Sequence, residues 1–227
     1  MKKVVVFTGS GISAESGIKT FRDSDGLWEK YDIKTVATPE AWARNPQLVQ
    51  EFYNQRRKQI LEASPNAAHK ALKQLETKFN TVIVTQNVDD LHERAGSANI
   101  IHLHGIITKS QSSRFPELVY PIEGWELSMN ATCEYGFPLR PHIVWFGEPV
   151  PEMDRAIYEV STADYFIVIG TSLEVYPAAS LIHFTGDNTT TYLIDPAARN
   201  VSGISNIEII KESAGSAVPA LVNRLLL

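Results

Sequence analysis

The feature that most constrains this chain is a buried strand that runs directly into a glycine turn near the N-terminus. The apolar run Val4–Phe7 is followed by Thr8 and by a turn with the spacing Gly9-x-Gly11-x-x-Ala14. A strand that is apolar on both faces is typical of a parallel sheet covered by helices. The two glycines permit a tight turn and a close approach of phosphate to the backbone. The spacing therefore predicts a dinucleotide-binding turn, although tight turns of this kind also use glycine without binding a nucleotide.

Alternating strand and helix patterns continue along most of the chain. Short apolar runs predict further strands, and capped or proline-led stretches predict helices between them. The predicted strands cover residues 81–85, 100–103, 141–148, 165–169, 191–194 and 207–210, and the main predicted helices cover residues 46–62, 67–77, 151–162, 177–184 and 217–227. This order predicts an α/β fold with a Rossmann-like, doubly wound parallel sheet.

Composition divides the predicted fold into a larger and a smaller domain. Residues 1–19, 66–107 and 141–227 carry the alternating pattern and form the predicted Rossmann-like domain. Residues 20–65 and 108–140 form the predicted small inserted domain, which combines a helical insertion with a module rich in proline, serine and aromatic residues.

Charge, hydropathy and cysteine content exclude several classes of protein. The formal net charge is −5 and no long basic run is present, which argues against nucleic-acid binding. No apolar stretch reaches the length of a membrane span. The first strand begins next to Met1, so we expect no signal or transit peptide and a cytoplasmic location. Cys133 is the only cysteine, so neither an intrachain disulfide nor a zinc site of several cysteines can form. The sequence carries no signal for an oligomeric state.

Polar or glycine residues follow four of the predicted strands. These segments are Gly9–Gly11, Gln86–Asp89, His104–Gly105 and Gly170–Ser172. Because the carboxyl ends of parallel strands meet at one edge of a sheet, the four segments can converge on one ligand. Taken one at a time they have simpler explanations: a lone histidine such as His104 is more often structural, and Asp89 and Asp90 are consistent with a cap on the helix that follows.

Together these motifs resemble those of the sirtuins, the NAD-dependent protein deacylases. The matching segments are Gly9–Ile18, Phe21-Arg22, Gln86–Asp89, His104-Gly105, Trp145–Glu148 and Gly170–Ser172, in the family's order. The resemblance spans about residues 4–219, nearly the whole chain. It implies NAD as the cofactor and acylated lysines of proteins as the substrates.

The resemblance also implies which residues hold NAD. The expected cofactor residues are Thr8, Gly9, Ser10, Gly11, Ser13, Ala14, Glu15, Gly17, Ile18, Phe21, Arg22, Gln86, Asn87, Val88, Asp89, Gly170, Thr171, Ser172, Asp195 and Ala214. Asp195 stands where the family usually has an asparagine on the adenosine side, which is a departure from the family's pattern.

The expected catalytic residues are His104, Asn87 and Asp89. By the family's mechanism, the acyl oxygen attacks the ribose carbon that bears nicotinamide, and nicotinamide leaves. His104 then takes a proton from a ribose hydroxyl, a step that suits a neutral imidazole. The implied products are free lysine, nicotinamide and an O-acyl-ADP-ribose.

Two further segments are expected to bind the substrate. Val144, Trp145, Phe146, Gly147 and Glu148 match the strand that pairs with the acyl-lysine peptide in the family.

Tyr53 and Arg56 lie three residues apart on one face of a predicted helix and resemble the pair of the class III sirtuins, which remove succinyl and malonyl groups. A guanidinium and a phenol on one helix face can clamp a carboxylate. From spacing alone, a solvated helix face explains the same pair.

The main departure from the family lies in the small domain. Most sirtuins carry four cysteines there that hold a structural zinc, whereas residues 109–137 contain only Cys133. We therefore expect no zinc and no other metal. The aromatic residues and prolines of this segment are expected to form a small apolar core instead.

Three functions are compatible with these motifs. The first is an NAD-dependent deacylase specific for acidic acyl groups, with deacetylation as a second activity. The others are a mono-ADP-ribosyltransferase that uses the same NAD site and a non-catalytic module that binds NAD or ADP-ribose. A base at His104 favours chemistry over pure binding.

Overall fold

The computed structural model describes residues 1–18, 31–204 and 206–227. Six described strands form one sheet in which every neighbouring pair is parallel. They are β1 (Lys3–Thr8), β2 (Asn80–Thr85), β3 (Ile100–His102), β7 (Tyr165–Ile169), β8 (Thr190–Ile194) and β9 (Ile207–Ile210). Their spatial order is β3-β2-β1-β7-β8-β9, so the direction of winding reverses beside β1. This confirms the Rossmann-like, doubly wound sheet and places the glycine turn after β1 at the switch point.

Helices cover both faces of this sheet. The α-helices are α1 (Ile33–Val36), α2 (Pro39–Arg44), α3 (Pro46–Glu62), α4 (Ala67–Leu75), α5 (Leu91–Arg94), α6 (Met153–Ser161) and α7 (Ala214–Leu226), and 3₁₀ turns cover Ser10–Ile12, Ala14–Ser16 and Ala178–Phe184. Val4 and Val6 of β1 pack against α4 and α7, whereas Val5 and Phe7 pack against α6 and the last 3₁₀ turn. The first strand is therefore buried on both faces, as its apolar run predicts.

Two proline-led helix starts are confirmed. The Thr38 hydroxyl accepts the Ala41 N–H at the start of α2, and the Asn45 amide oxygen accepts the Leu48 N–H at the start of α3. A short polar side chain before proline satisfies an N–H group that the first turn of a helix leaves unpaired. None of the described helices is both long and apolar enough to cross a bilayer.

A second, antiparallel sheet carries the rest of the described strands. It consists of β4 (Gly105–Ser112), β5 (Val119–Pro121) and β6 (Leu139–Ile143), in the order β5-β4-β6. The strand expected from residue 141 onward therefore joins this small sheet and not the main one. Both β4 and β6 extend across the predicted domain boundaries, because a short apolar run does not indicate which sheet it pairs with.

The aromatic residues of the small domain do not form the expected apolar core. Phe115 contacts Tyr135 and Phe137 edge to face, with ring centres 5.5 Å apart in each pair. However, Tyr135 is 66% exposed and Phe137 is 38% exposed. An exposed cluster buries little area, so another set of contacts must hold this segment in place.

Polar side chains of α3 hold the segment around residue 127. Gln50 and Asn54 each donate from their side-chain amides to the Leu127 carbonyl, at 2.8 and 3.1 Å. The Leu127 N–H donates back to Asn54 Oδ1 at 2.9 Å. Arg57 donates to the Trp125 carbonyl at 2.8 Å. We call Gln50, Asn54 and Arg57, which lie on one buried face of α3, the strut.

Candidate active site

A cavity of about 370 Å³ lies at the carboxyl edge of the main sheet, between this edge and the small sheet. It collects every described residue that the sequence predicts for catalysis or substrate binding, and most of those predicted for NAD. Its lining includes Gly9, Ser10, Gly11, Ser13, Ile18, Tyr53, Arg56, Gln86, Asn87, Val88, Asp89, His104, Val144, Trp145, Phe146, Gly147, Glu148, Gly170, Thr171, Ser172 and Asp195. The four strand-end segments thus converge on one cleft, as their positions in a parallel sheet predict.

Glycines of two adjacent turns form one wall of the cavity. The Gly9 N–H donates to the Ile169 carbonyl, and the Gly11 N–H donates to the Gly170 carbonyl, each at 2.9 Å. A Cβ atom on Gly11 or on Gly170 would collide with the backbone of the other turn. This close approach requires glycine and leaves a wall of main chain, which suits the phosphates of a dinucleotide.

Asn87 and Asp89 are buried beside the glycine turn. The Asn87 amide donates to the Gly9 carbonyl at 3.1 Å and to the Ser13 hydroxyl at 3.2 Å. Asp89 accepts a hydrogen bond from that hydroxyl at 3.0 Å and another from the Leu91 N–H at 3.1 Å. Asp89 therefore bonds to the first residue of α5 and also lines the cavity. Burial raises the pKa of the Asp89 carboxyl.

His104 follows β3 and is held in one tautomer. Its Nδ1 lies 3.0 Å from the Gln86 carbonyl oxygen. Because a carbonyl oxygen can only accept, Nδ1 carries the proton and Nε2 keeps its lone pair. Burial lowers the pKa of His104 below its ordinary value, so the ring is neutral at pH 7. A neutral imidazole with a free Nε2 can accept a proton from a group in the cavity.

The neighbouring His102 is occupied elsewhere. Its Nε2 lies 2.6 Å from a carboxylate oxygen of Glu93, and its Nδ1 lies 3.2 Å from the Asn87 carbonyl oxygen. Both ring nitrogens therefore have protein partners, which suits a structural histidine.

Tyr53 and Arg56 reach the cavity from α3. Tyr53 is only 3% exposed, and its hydroxyl accepts a hydrogen bond from Trp145 Nε1 at 3.1 Å. Arg56 lies next to it in the lining, and burial lowers the pKa of its guanidinium. Both side chains therefore line the cavity.

The structure places five predicted cofactor residues outside the cavity lining. They are Thr8, Ala14, Glu15, Gly17 and Ala214. Thr8 is fully buried, and its hydroxyl bonds with the Thr85 hydroxyl and with His92. Phe21 and Arg22, also predicted for NAD, lie outside the described residues.

The cavity also uses residues that the sequence analysis missed. Ala37, Ile60, Val150, Tyr176 and Pro177 are among them. The helical spacing from Arg56 predicts Ile60, which lies one turn further along the same face of α3. The others lie in loops, where the sequence has no periodicity that indicates which way a side chain faces.

The described residues contain no group of three or more His, Cys, Asp and Glu side chains placed to hold a metal ion.

Glu15 connects the turn after β1 to the last helix. Its carboxylate accepts the Gly215 N–H at 2.9 Å, and Gly215 lies in the first turn of α7. Ser213, the residue before α7, provides no side-chain cap of its own. Glu15 therefore caps a helix that lies 200 residues further along the chain.

Because Glu15 caps α7 through Gly215, the effect of Gly215→Ala on stability is expected to depend on whether Glu15 is present. Glu15→Ala is expected to lower the free energy of unfolding by about 1 kcal/mol, because a cap is lost. Gly215→Ala alone is expected to be close to neutral, because its Cβ would displace the Glu15 carboxylate and lose the cap while alanine favours the helix. In the Glu15→Ala background the same change is expected to stabilise by up to about 1 kcal/mol, since alanine favours a helix. Urea unfolding of the four proteins checks this, and an equal effect of Gly215→Ala in both backgrounds would contradict it.

Comparison with known proteins agrees with this geometry. The model of the Sir2 family matches residues 9–177. An NAD-dependent protein deacylase of Bacteroides thetaiotaomicron is 50% identical over 231 residues, covering 100% of this chain and 99% of the relative. An NAD-dependent protein deacylase of Helicobacter pylori is 52% identical over 226 residues, covering 100% of this chain and 98% of the relative.

Solved structures give the same result. A Sir2 homologue in complex with NAD matches with a TM-score of 0.90 at 39% identity, covering 99% of this chain and 90% of that chain. A Sir2 complex with a deacetylated p53 peptide and 3′-O-acetyl ADP ribose matches with a TM-score of 0.83 at 30% identity, covering 97% of this chain and 92% of that chain. The strand-end segments, the cavity they form and these relatives together show that this chain belongs to the Sir2 family, the sirtuins.

Proposed function

We propose that this sirtuin is an NAD-dependent protein-lysine deacylase that removes succinyl and malonyl groups, with deacetylation as a second activity. The observation that carries the proposal is the position of Tyr53 and Arg56 in the same cavity as His104 and the segment Val144–Glu148. An acyl-lysine that pairs with this segment would carry its acyl group past the histidine and toward the arginine.

The chemistry of the two side chains favours an acyl group that ends in a carboxylate. A guanidinium offers parallel N–H donors that match the two carboxylate oxygens. A phenol adds an O–H donor, and burial raises the pKa of Tyr53 so that it keeps its proton. An acetyl group has no acceptor to offer at this depth, so it gains nothing from either donor.

The residues of the cavity fit NAD. Main-chain walls at Gly9, Gly11 and Gly170 leave room for phosphates, and the polar side chains of Asn87 and Asp89 lie beside them. When bound, NAD supplies an electrophilic ribose carbon and nicotinamide as a leaving group. We assign to Asn87 and Asp89 the binding of the nicotinamide ribose.

His104 has the position and the protonation state of a general base. Its Nδ1–H bond to the Gln86 carbonyl fixes the ring, so that Nε2 is the atom available to accept a proton from a hydroxyl in the cavity. The non-catalytic binding module would need no such base.

The proposal predicts a change of acyl specificity in Arg56→Met. We expect activity on a succinyl-lysine peptide to fall by the equivalent of about 2–5 kcal/mol, because a buried charged hydrogen-bond pair is lost. Activity on the matched acetyl-lysine peptide should fall far less. Mass spectrometry of nicotinamide and O-acyl-ADP-ribose measures both rates, and Lys58→Met provides a matched control on the same helix, outside the cavity lining.

Other results would separate the alternatives. Equal losses on the two peptides would make Arg56 a structural residue. Bound NAD without acyl transfer by the wild-type protein would favour the binding module. Transfer of ADP-ribose to protein would favour the mono-ADP-ribosyltransferase.

A further inference from the structure

The hydrogen bond between Trp145 and Tyr53 has a fixed direction. An indole N–H can only donate, so Trp145 Nε1 donates and the Tyr53 oxygen accepts, at 3.1 Å. One lone pair of that oxygen is therefore occupied, and the hydroxyl hydrogen is not used in this bond. Within the described part of the chain, the Tyr53 hydroxyl has no acceptor for its hydrogen, and Tyr53 lines the cavity.

Trp145 is itself held firmly. The guanidinium carbon of Arg140 lies 3.9 Å from the centre of a Trp145 ring, which is a close stacking distance. Glu148 ties both residues together, because one of its oxygens accepts from Arg140 Nη2 at 2.7 Å and the other accepts the Trp145 N–H at 2.8 Å. The indole is also almost completely buried. Its N–H is therefore presented to Tyr53 in one orientation.

Arg140 lies outside the cavity lining, so it makes no direct contact with an acyl group held there. It stacks on Trp145, and Trp145 in turn bonds to Tyr53. This gives a chain of contacts from the small sheet, where Arg140 belongs to β6, to a hydroxyl at the cavity wall.

We propose that Trp145, held by Arg140 and Glu148, fixes the Tyr53 hydroxyl as a hydrogen-bond donor to the acyl group and thereby selects acyl chains that end in a carboxylate. This inference rests on the proposed function, and it makes Arg140 and the Trp145 indole positioning residues for acyl specificity. A fixed donor favours an acceptor over an apolar methyl group, because a buried donor left without a partner costs free energy. A phenol free to rotate would discriminate less.

The test compares kcat and KM on matched succinyl-lysine and acetyl-lysine peptides for the wild type, Trp145→Phe, Tyr53→Phe and the double variant. We expect each single change to lower the succinyl-over-acetyl ratio of kcat/KM by about tenfold, the effect of one hydrogen bond of ordinary net strength. The loss should lie mainly in KM for the succinyl peptide. The double variant should show no further loss, because the indole acts through the hydroxyl.

Two further variants guard against a general packing effect. Trp42 lies 5.9 Å from Trp145 between ring centres but outside the hydrogen-bond chain, so Trp42→Phe should leave the ratio unchanged. Arg140→Lys keeps a positive charge near Glu148 but loses the planar stack on Trp145. It should therefore also lower the succinyl-over-acetyl ratio of kcat/KM. This variant tests the proposal if Trp145→Phe does not fold.

The outcomes separate this inference from the proposed function. A wild-type enzyme without preference for the succinyl peptide overturns both. A preference that is lost in Arg56→Met but kept in Trp145→Phe overturns only the role of Trp145. Additive losses in the double variant, or equal losses on the two peptides, also overturn it.

Discussion

His104→Ala is expected to lower the rate of deacylation sharply and to leave NAD binding intact. The loss should be about 10²–10⁴-fold in kcat, the usual contribution of a general base. The reason is local, since the Gln86 carbonyl fixes Nδ1–H and leaves Nε2 as the acceptor in the cavity. Turnover of acyl peptides and calorimetric binding of NAD measure the two effects separately.

The adjacent histidine offers a matched control. His102 has both ring nitrogens in contact with protein groups, so His102→Ala should retain most of the activity. The pH profile of the wild type adds a second check. Burial lowers the pKa of His104, so the neutral form persists to below pH 6.5 and activity should fall only as pH drops through that lowered pKa. Full turnover by the alanine variant would remove His104 from the mechanism.

Arg57→Met is expected to destabilise the fold by about 2–4 kcal/mol, with a much smaller effect on acyl specificity. The Arg57 side chain is 0% exposed and donates to the Ile107 carbonyl at 2.6 Å and the Trp125 carbonyl at 2.8 Å. Methionine fills a similar volume but donates no hydrogen bond to the Ile107 carbonyl, the Trp125 carbonyl or Asn54 Oδ1. Burial lowers the pKa of Arg57 to about 10, so the side chain is still charged at neutral pH.

The neighbouring arginine makes this test sharp. Arg56→Met should change acyl specificity more, and the free energy of unfolding less, than Arg57→Met, because Arg56 lines the cavity whereas Arg57 is fully buried against main-chain carbonyls. Urea denaturation and peptide turnover of the two variants should therefore give opposite patterns. If Arg57→Met were as stable as Arg56→Met, the strut of Gln50, Asn54 and Arg57 would not be what holds the small domain.

Much of the fold follows from short-range patterns. The run Val4–Phe7 can be read as a buried strand because its burial on both faces leaves an uninterrupted apolar sequence. Thr38 and Asn45 mark helix starts because capping needs only a few neighbouring residues. The cavity could be predicted as well, since parallel strands bring their carboxyl ends to one edge whatever their separation in sequence.

Other features depend on contacts that no short pattern encodes. Three consecutive basic residues have the same charge but different surroundings. Arg56 lines the cavity, Arg57 donates to main-chain carbonyls, and the Lys58 ammonium lies over the exposed ring of Trp125. Every residue has a main-chain carbonyl, so residue types do not indicate which carbonyls Arg57 binds. The contact between Glu15 and Gly215 is hidden for the same reason, because Gly215 contributes only its N–H.

The interlocked glycines restrict how this enzyme could be redesigned for another cofactor. A side chain placed on Gly11 or on Gly170 would collide with the backbone of the other turn. This collision is the same whichever molecule fills the cavity. Main-chain hydrogen bonds within the protein also hold these two glycine turns in place. Binding of a cofactor therefore needs to order little of the backbone at this wall of the cavity. Altered cofactor preference must therefore come from positions that carry side chains into the cavity, such as Ser10, Ser172 and Asp195, while the glycine framework stays constant.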